Sequence, residues 1–295
     1  MLINKIIFYT TGHNGDIHYS REFIKDIINK IPNIEYEYHF NSSVKLLKDI
    51  SSLSVKPFDL WHIYKNHFFY DSNTQIFYIN TWIGSDYSND GSGRYGCCLK
   101  SNYFMYKKIF DILGITIENE NYYIPDVKWD CYDILKIDEF FKSKNYKNYC
   151  LISNGNVLSG QSDNSNLNDI IKNLAIKFEN TGFILTDISN KLSHPNIYYT
   201  NDIIDTTDGD LNEIGYMSTK CDIIIGRASG PYCFAHNKNT LYDNTKIFIV
   251  FSNSRNEGIW ADIEETEKNC SKQIWSNNFD LDAMHDIIAQ EIIKL

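Results

Sequence analysis

Two short stretches of this 295-residue chain bring together residue types that can do chemistry. In Gly12-His13-Asn14-Gly15-Asp16-Ile17-His18, a carboxylate lies between two imidazoles in a glycine-flanked turn. A carboxyl so placed can take the proton of a hydroxyl nucleophile, its affinity for that proton set by burial and by His13 and His18. The second stretch, Ile223-Ile224-Ile225-Gly226-Arg227-Ala228-Ser229-Gly230-Pro231-Tyr232, couples an apolar run to a turn and a helix start. Ser229 can cap that helix, Gly230 leaves the backbone uncovered, and Pro231 fits a first turn whose N–H groups have no intrahelical partner. Free N–H groups from Ser229 to Tyr232, with Arg227 beside them, suit a phosphate or diphosphate. Each stretch also has a plainer reading, and both stay open: Asp16 can simply cap the helix behind it, and Arg227 can point to solvent.

The elements that must position these residues follow from periodicity. Residues 5–10 read as a strand and 11–16 as the turn after it, and Phe23, Ile24, Ile27, Ile28 and Ile31 recur at helical spacing up to Pro32. Strand-like runs follow at 34–40, 58–64 and 75–82, with helical patterns at 44–50, 102–113 and 138–144. The polar loop 83–94, after a strand end, is a candidate acceptor loop, and 142–148 reads as a linker. The pattern then restarts with a strand at 149–153, a helix with Leu167, Ile170, Ile171 and Leu174 on one face, and strands at 183–186 and 197–200. Asp210 and Glu213 suit a capping box before the 221–235 stretch, 246–251 and 272–275 read as strands, and Asp280 as the cap of a terminal helix. This alternation predicts an α/β protein of two Rossmann-like domains facing across a cleft, 1–145 and 146–295. The helix at 281–294 is expected to pack back toward the first domain.

Composition narrows the function classes. A net charge of −10 with no Lys/Arg cluster argues against a nucleic-acid surface. No apolar run long enough to span a membrane and no cleavable leader are visible, so a cytoplasmic location is expected, with peripheral attachment to a membrane left open. Seven cysteines without a Cys-x-x-Cys pair suggest neither a disulfide framework nor a thiolate metal site. The glycines at 12 and 15 lack dinucleotide-fingerprint spacing, which disfavours a dehydrogenase. Asp208-Gly209-Asp210 is better explained by capping than by metal binding, and Glu257 with Glu265 lacks a helix context; His62 and His67 are not a zinc pattern.

Gly15-Asp16-Ile17-His18 before a helix, together with Gly226-Arg227-Ala228-Ser229-Gly230-Pro231 between a strand and a helix, resembles the GT-B fold glycosyltransferases of the heptosyltransferase type, glycosyltransferase family 9. The resemblance extends to the domain plan of the whole chain, with motif matches confined to those two pieces. It implies transfer of a sugar from a nucleotide-activated donor to a hydroxyl of a glycan, lipid-linked or protein acceptor, with inversion, without metal and with no cofactor beyond the donor. Asp16 would match the general base, with His18 and His13 as companions, and Ser229 and Gly230 would match residues that hold the donor diphosphate. The loop of Ser153, Asn154 and Gly155 would lie on the donor side, although the basic residue the family carries after Ser153 is absent. Two other functions share parts of this pattern: a polysaccharide pyruvyl transferase, and a non-catalytic nucleotide- or sugar-binding protein.

Overall fold

The computed structural model describes residues 2–82, 98–116, 123–158, 160–207, 209–227, 230–255 and 270–295. The chain divides into two compact units, Met1–Val127 and Lys128–Leu295. The candidate loop at 83–94, together with Asp208, Ser229, Glu257 and Glu265, lies outside the described residues.

In the first unit, strands β1 (Lys5–Tyr9), β2 (Glu35–His39), β3 (Ser54–Lys56), β4 (Phe68–Asp71) and β5 (Ile76–Asn80) form one sheet in the order β3-β2-β1-β5-β4. All pairs are parallel except β4 with β5. Helices α1 (Asn14–Lys30) and α2 (Cys98–Leu113) accompany the sheet. Because successive side chains of a strand face opposite ways, β1 feeds two cores. Phe8 meets Phe23 of α1 edge-on, and Phe23 stacks on Tyr106 of α2 with ring centroids 3.8 Å apart. Ile7 and Tyr9 instead cluster with Phe58, Leu60 and Ile63.

That second cluster corrects the expectation of a strand at 58–64. The segment is a series of turns, with Ile63 N–H bonded to Leu60 O and Asn66 N–H to Ile63 O. Phe58 and Leu60 mimic strand alternation because both cover the sheet, while the hydrogen bonds stay local. The helix expected at 44–50 is a short 3₁₀ turn, Val44–Leu47, held by a buried ion pair between Arg21 of α1 and Asp49. Arg21 Nη2 also donates to Leu46 O at 2.6 Å, and Lys25 Nζ lies 3.3 Å from Asp49 Oδ2.

The second unit carries β6 (Asn148–Ser153), β7 (Thr181–Leu185), β8 (Ile197–Tyr199), β9 (Ile223–Arg227), β10 (Ile247–Phe251) and β11 (Lys272–Ser276) in the order β11-β10-β9-β6-β7-β8, all parallel. Its helices are α3 (Leu135–Ser143), α4 (Leu167–Lys177), α5 (Leu211–Ser218), α6 (Gly230–Phe234), α7 (Lys238–Leu241) and α8 (Leu281–Lys294). Helix α3 packs Ile137, Phe140 and Phe141 with Tyr149 and Leu151 of β6, so the division between units falls before this helix and not at 145/146. In α8, Asp280 accepts from Ala283 N–H at 3.0 Å, and Met284, Ile288 and Ile292 join Leu174 of α4 in the second unit's core. Asp210 precedes α5 as expected, but its side chain makes no cap hydrogen bond. Among the described residues, no helix is long and apolar enough to cross a membrane.

Candidate functional site

The turn after β1 lies at the C-terminal edge of a parallel sheet, the edge where open α/β sheets bind ligands. His13 takes the position before the first turn of α1, and Asp16 Oδ2 accepts the His13 backbone N–H at 2.8 Å. Asp16 thus satisfies one of the donors that a helix start leaves open, and its negative charge suits that end of the dipole. An added Cβ at Gly12 would collide with Asp16 Oδ2 and come within 2.7 Å of Trp82 Cδ1, so a side chain there would displace the Asp16 carboxylate or the indole. Asp16 is half-buried, His13 exposed and His18 wholly buried, its ring edge-on to Tyr19. Beside the turn opens a shallow cleft of about 90 Å³, lined by Gly12, Asn14, Asn41, Phe58 and Trp61 among others.

In the second unit the chain order reverses direction between β6 and β9, which pair in parallel at the centre of the sheet. Ser153 ends β6 directly opposite Gly226 of β9. A side chain at Gly226 would stand 2.8 Å from Ser153 Cβ and 3.1 Å from Tyr232 Cδ2, so the close approach of strand and turn depends on glycine. Tyr232 is a core anchor, packed edge-on to His236 and Phe248.

Arg227, the last residue of β9, is 1% exposed. Its Nη1 donates to Asn154 O at 3.3 Å and Gly155 O at 3.0 Å, and its Nη2 donates to Ser165 O. These three bonds tie the loop after β6 to the end of β9. A guanidinium has five N–H donors, so the Nε donor, which has no hydrogen-bond partner, and one on Nη2 remain. Burial pushes the guanidinium below its ordinary pKa, with the charge of Asp163 opposing that shift. Among the described residues, no acidic side chain forms an ion pair with Arg227.

No family model matches the sequence, and no curated protein matches it. Solved structures do match. The chain is similar to a glycosyl transferase family 9 protein from Veillonella parvula DSM 2008, at 12% identity over 98% of this chain and 92% of that one, with a TM-score of 0.54. It is similar to E. coli heptosyltransferase WaaC with ADP, at 9% identity over 98% and 99% of the two chains, with a TM-score of 0.55. E. coli ADP-heptose lps heptosyltransferase II gives 9% identity, the same coverages and a TM-score of 0.56. The fold is that of the GT-B glycosyltransferases.

Within this GT-B fold, the candidate residues fall into two groups. Ser153, Asn154, Gly155, Arg227 and Tyr232 gather around the ends of β6 and β9, with Gly230 and Pro231 opening the helix that carries Tyr232. Asp16, His13 and His18 belong to α1 and its cap in the other unit. The Asn154 side chain is already engaged: it donates to Asn168 Oδ1 at 3.0 Å and accepts from Asp187 N–H at 2.8 Å. Sequence reading missed the first unit's cleft, because Phe58 and Trp61 were absorbed into an expected strand. The signal was Pro57 followed by aromatic residues interrupted by Asp59, a pattern that suits a covering loop.

Proposed function

We propose that this protein is a glycosyltransferase that moves a sugar from a nucleotide-activated donor to a hydroxyl acceptor. The observation that carries the reading is Arg227, a buried cation at the reversal point of the second sheet, with N–H groups left over and no carboxylate among the described residues paired with it. A buried charge favours a partner of opposite sign, and a diphosphate supplies one. Two similar structures, solved with ADP and with ADP-2-deoxy-2-fluoro heptose, support a nucleotide sugar as the ligand. The loop pinned by Arg227 would sit against the donor.

In the proposed reaction an acceptor hydroxyl attacks the anomeric carbon as the bond from that carbon to the diphosphate oxygen breaks. The hydroxyl proton passes to Asp16, and the bond electrons leave with the nucleoside diphosphate, whose negative charge Arg227 stabilises. A single displacement of this kind inverts the anomeric centre. The reading includes no metal.

The test is release of nucleoside diphosphate from a panel of nucleotide sugars in the presence of hydroxyl acceptors. Asp16→Asn retains a side-chain oxygen for the His13 N–H, so the variant should melt nearly like the parent while transferring sugar at least about a hundredfold more slowly. Parental turnover in a folded Asp16→Asn variant would leave Asp16 as a cap only.

A further inference from the structure

The cleft beside the β1 turn contrasts with the surroundings of Arg227 in that none of the described residues lining it is charged. Its polar groups are the hydroxyls of Thr10, Thr11 and Ser42 and the amides of Asn14 and Asn41. Hydroxyls and amides both donate and accept hydrogen bonds. Trp61 also lines the cleft and is 62% exposed. It is nonetheless braced, because the buried Phe58 meets it edge-on with ring centroids 4.8 Å apart and Tyr64 packs at 6.0 Å. Asn41 is fixed as well: its Oδ1 accepts the Phe58 N–H at 3.1 Å, which leaves its Nδ2 donors for a ligand. An exposed indole held against two aromatic rings beside convergent polar groups has the composition of a ligand site.

We propose that this cleft binds an uncharged pyranose, stacked on Trp61 and hydrogen-bonded by the hydroxyls and amides beside it. This rests on the glycosyltransferase reading, in which the cleft is the acceptor subsite next to Asp16. A pyranose has a face of C–H groups that packs on an aromatic ring and a rim of hydroxyls that both donate and accept. Among the described residues of the lining, an anionic ligand would find no Lys or Arg. The positive end of α1 is no substitute, since the Asp16 carboxylate already occupies it through the His13 N–H. A phosphate entering there would meet a like charge. The substrate class is therefore a neutral sugar or the neutral end of a glycan, not a sugar phosphate.

Saturation-transfer NMR on the full chain, with methyl glycosides of neutral hexoses and the corresponding hexose 6-phosphates as probes, tests this directly. The neutral glycosides should receive saturation and the phosphates should not. Trp61→Ala should weaken glycoside binding at least about tenfold, and Trp61→Phe should restore most of it; the exposure of Trp61 lets both variants fold. Parallel titration with ADP and UDP separates the two proposals, because the nucleotide is assigned to the other unit and should bind Trp61→Ala as it binds the parent. Stronger saturation of the phosphates, an undiminished glycoside signal in Trp61→Ala, or no glycoside signal at all would overturn the neutral-sugar site whatever the nucleotide result. Glycoside binding at Trp61 with no nucleotide binding would uphold the site and sink the transferase reading.

Discussion

The two largest fully buried charged side chains of the chain, Arg21 and Arg227, are treated in opposite ways. Arg21 lies in the first unit against Asp49, a fully buried carboxylate that Lys25 also approaches. Its charge is neutralised on the spot, and its task is to fasten the 3₁₀ turn after β2 onto α1. Arg227 in the second unit is held only by carbonyl oxygens. Carbonyl dipoles orient a guanidinium without cancelling its charge, so this one keeps positive potential at the sheet edge where ligands bind. Arg21 is thus a structural rivet, and Arg227 is proposed as a ligand anchor because no carboxylate among the described residues is paired with it.

The sharpest way to break this comparison is to remove each arginine and compare the damage. Arg21→Ala removes the closer of the two cations on the buried Asp49 carboxylate and leaves Lys25, and removing one partner of a buried pair typically costs about 3–5 kcal/mol. Urea unfolding of Arg21→Ala should show a loss in that range, and the Asp49→Ala variant a similar one. A loss under about 1 kcal/mol in both would mean that the pair is not the fastening described here.

How far the sequence foretold this contrast depends on how far apart the contributing residues lie. The strand, turn and helix around Asp16, and the strand that ends at Arg227 with the helix that starts at Gly230, were legible, because apolar periodicity and glycine placement are local signals. The terminal helix was legible too, through Asp280 and its spaced Met284, Ile288 and Ile292. The partners of Arg227 were not, since the carbonyls of Asn154, Gly155 and Ser165 are brought to it only by the pairing of β6 with β9. The antiparallel edge strand β4 also escaped: Phe68 and Phe69 are both exposed, so its sequence lacks the alternation that marks a half-buried strand. Helix α3 was assigned to the wrong side of the boundary because a polar stretch follows it, whereas Ile137 and its neighbours bind it to the second sheet.

Glu291 of α8 sharpens the comparison at the small end. It is buried yet paired twice, with Lys272 Nζ at 2.8 Å and with Lys294. Burial pushes its carboxyl up, but the hydrogen bonds and charges of the two lysines outweigh that and hold it below its ordinary value of 4.5. A depressed carboxyl stabilises the fold above its unfolded pKa, and that contribution fades as pH falls through the folded value. Both lysines are about half exposed, so the effect should stay under about 1 kcal/mol. Melting temperature followed downward from pH 5 should decline less steeply in Glu291→Gln than in the parent; identical slopes would remove Glu291 from the set of compensated buried charges.

The central claim is that Arg227, with no carboxylate among the described residues in an ion pair with it, binds a diphosphate, and the direct measurement is calorimetric titration of parent and Arg227→Met with ADP, UDP and GDP. Methionine keeps an apolar stem and strands no opposite charge, so the variant should lose less stability than Arg21→Ala does. At least one nucleoside diphosphate should bind the parent. Its affinity for Arg227→Met should fall by about 1.5–3 kcal/mol, the range for a hydrogen bond to a charged group, which is roughly 10- to 150-fold. Equal affinity in the two proteins, or no diphosphate bound by the parent, would contradict the account.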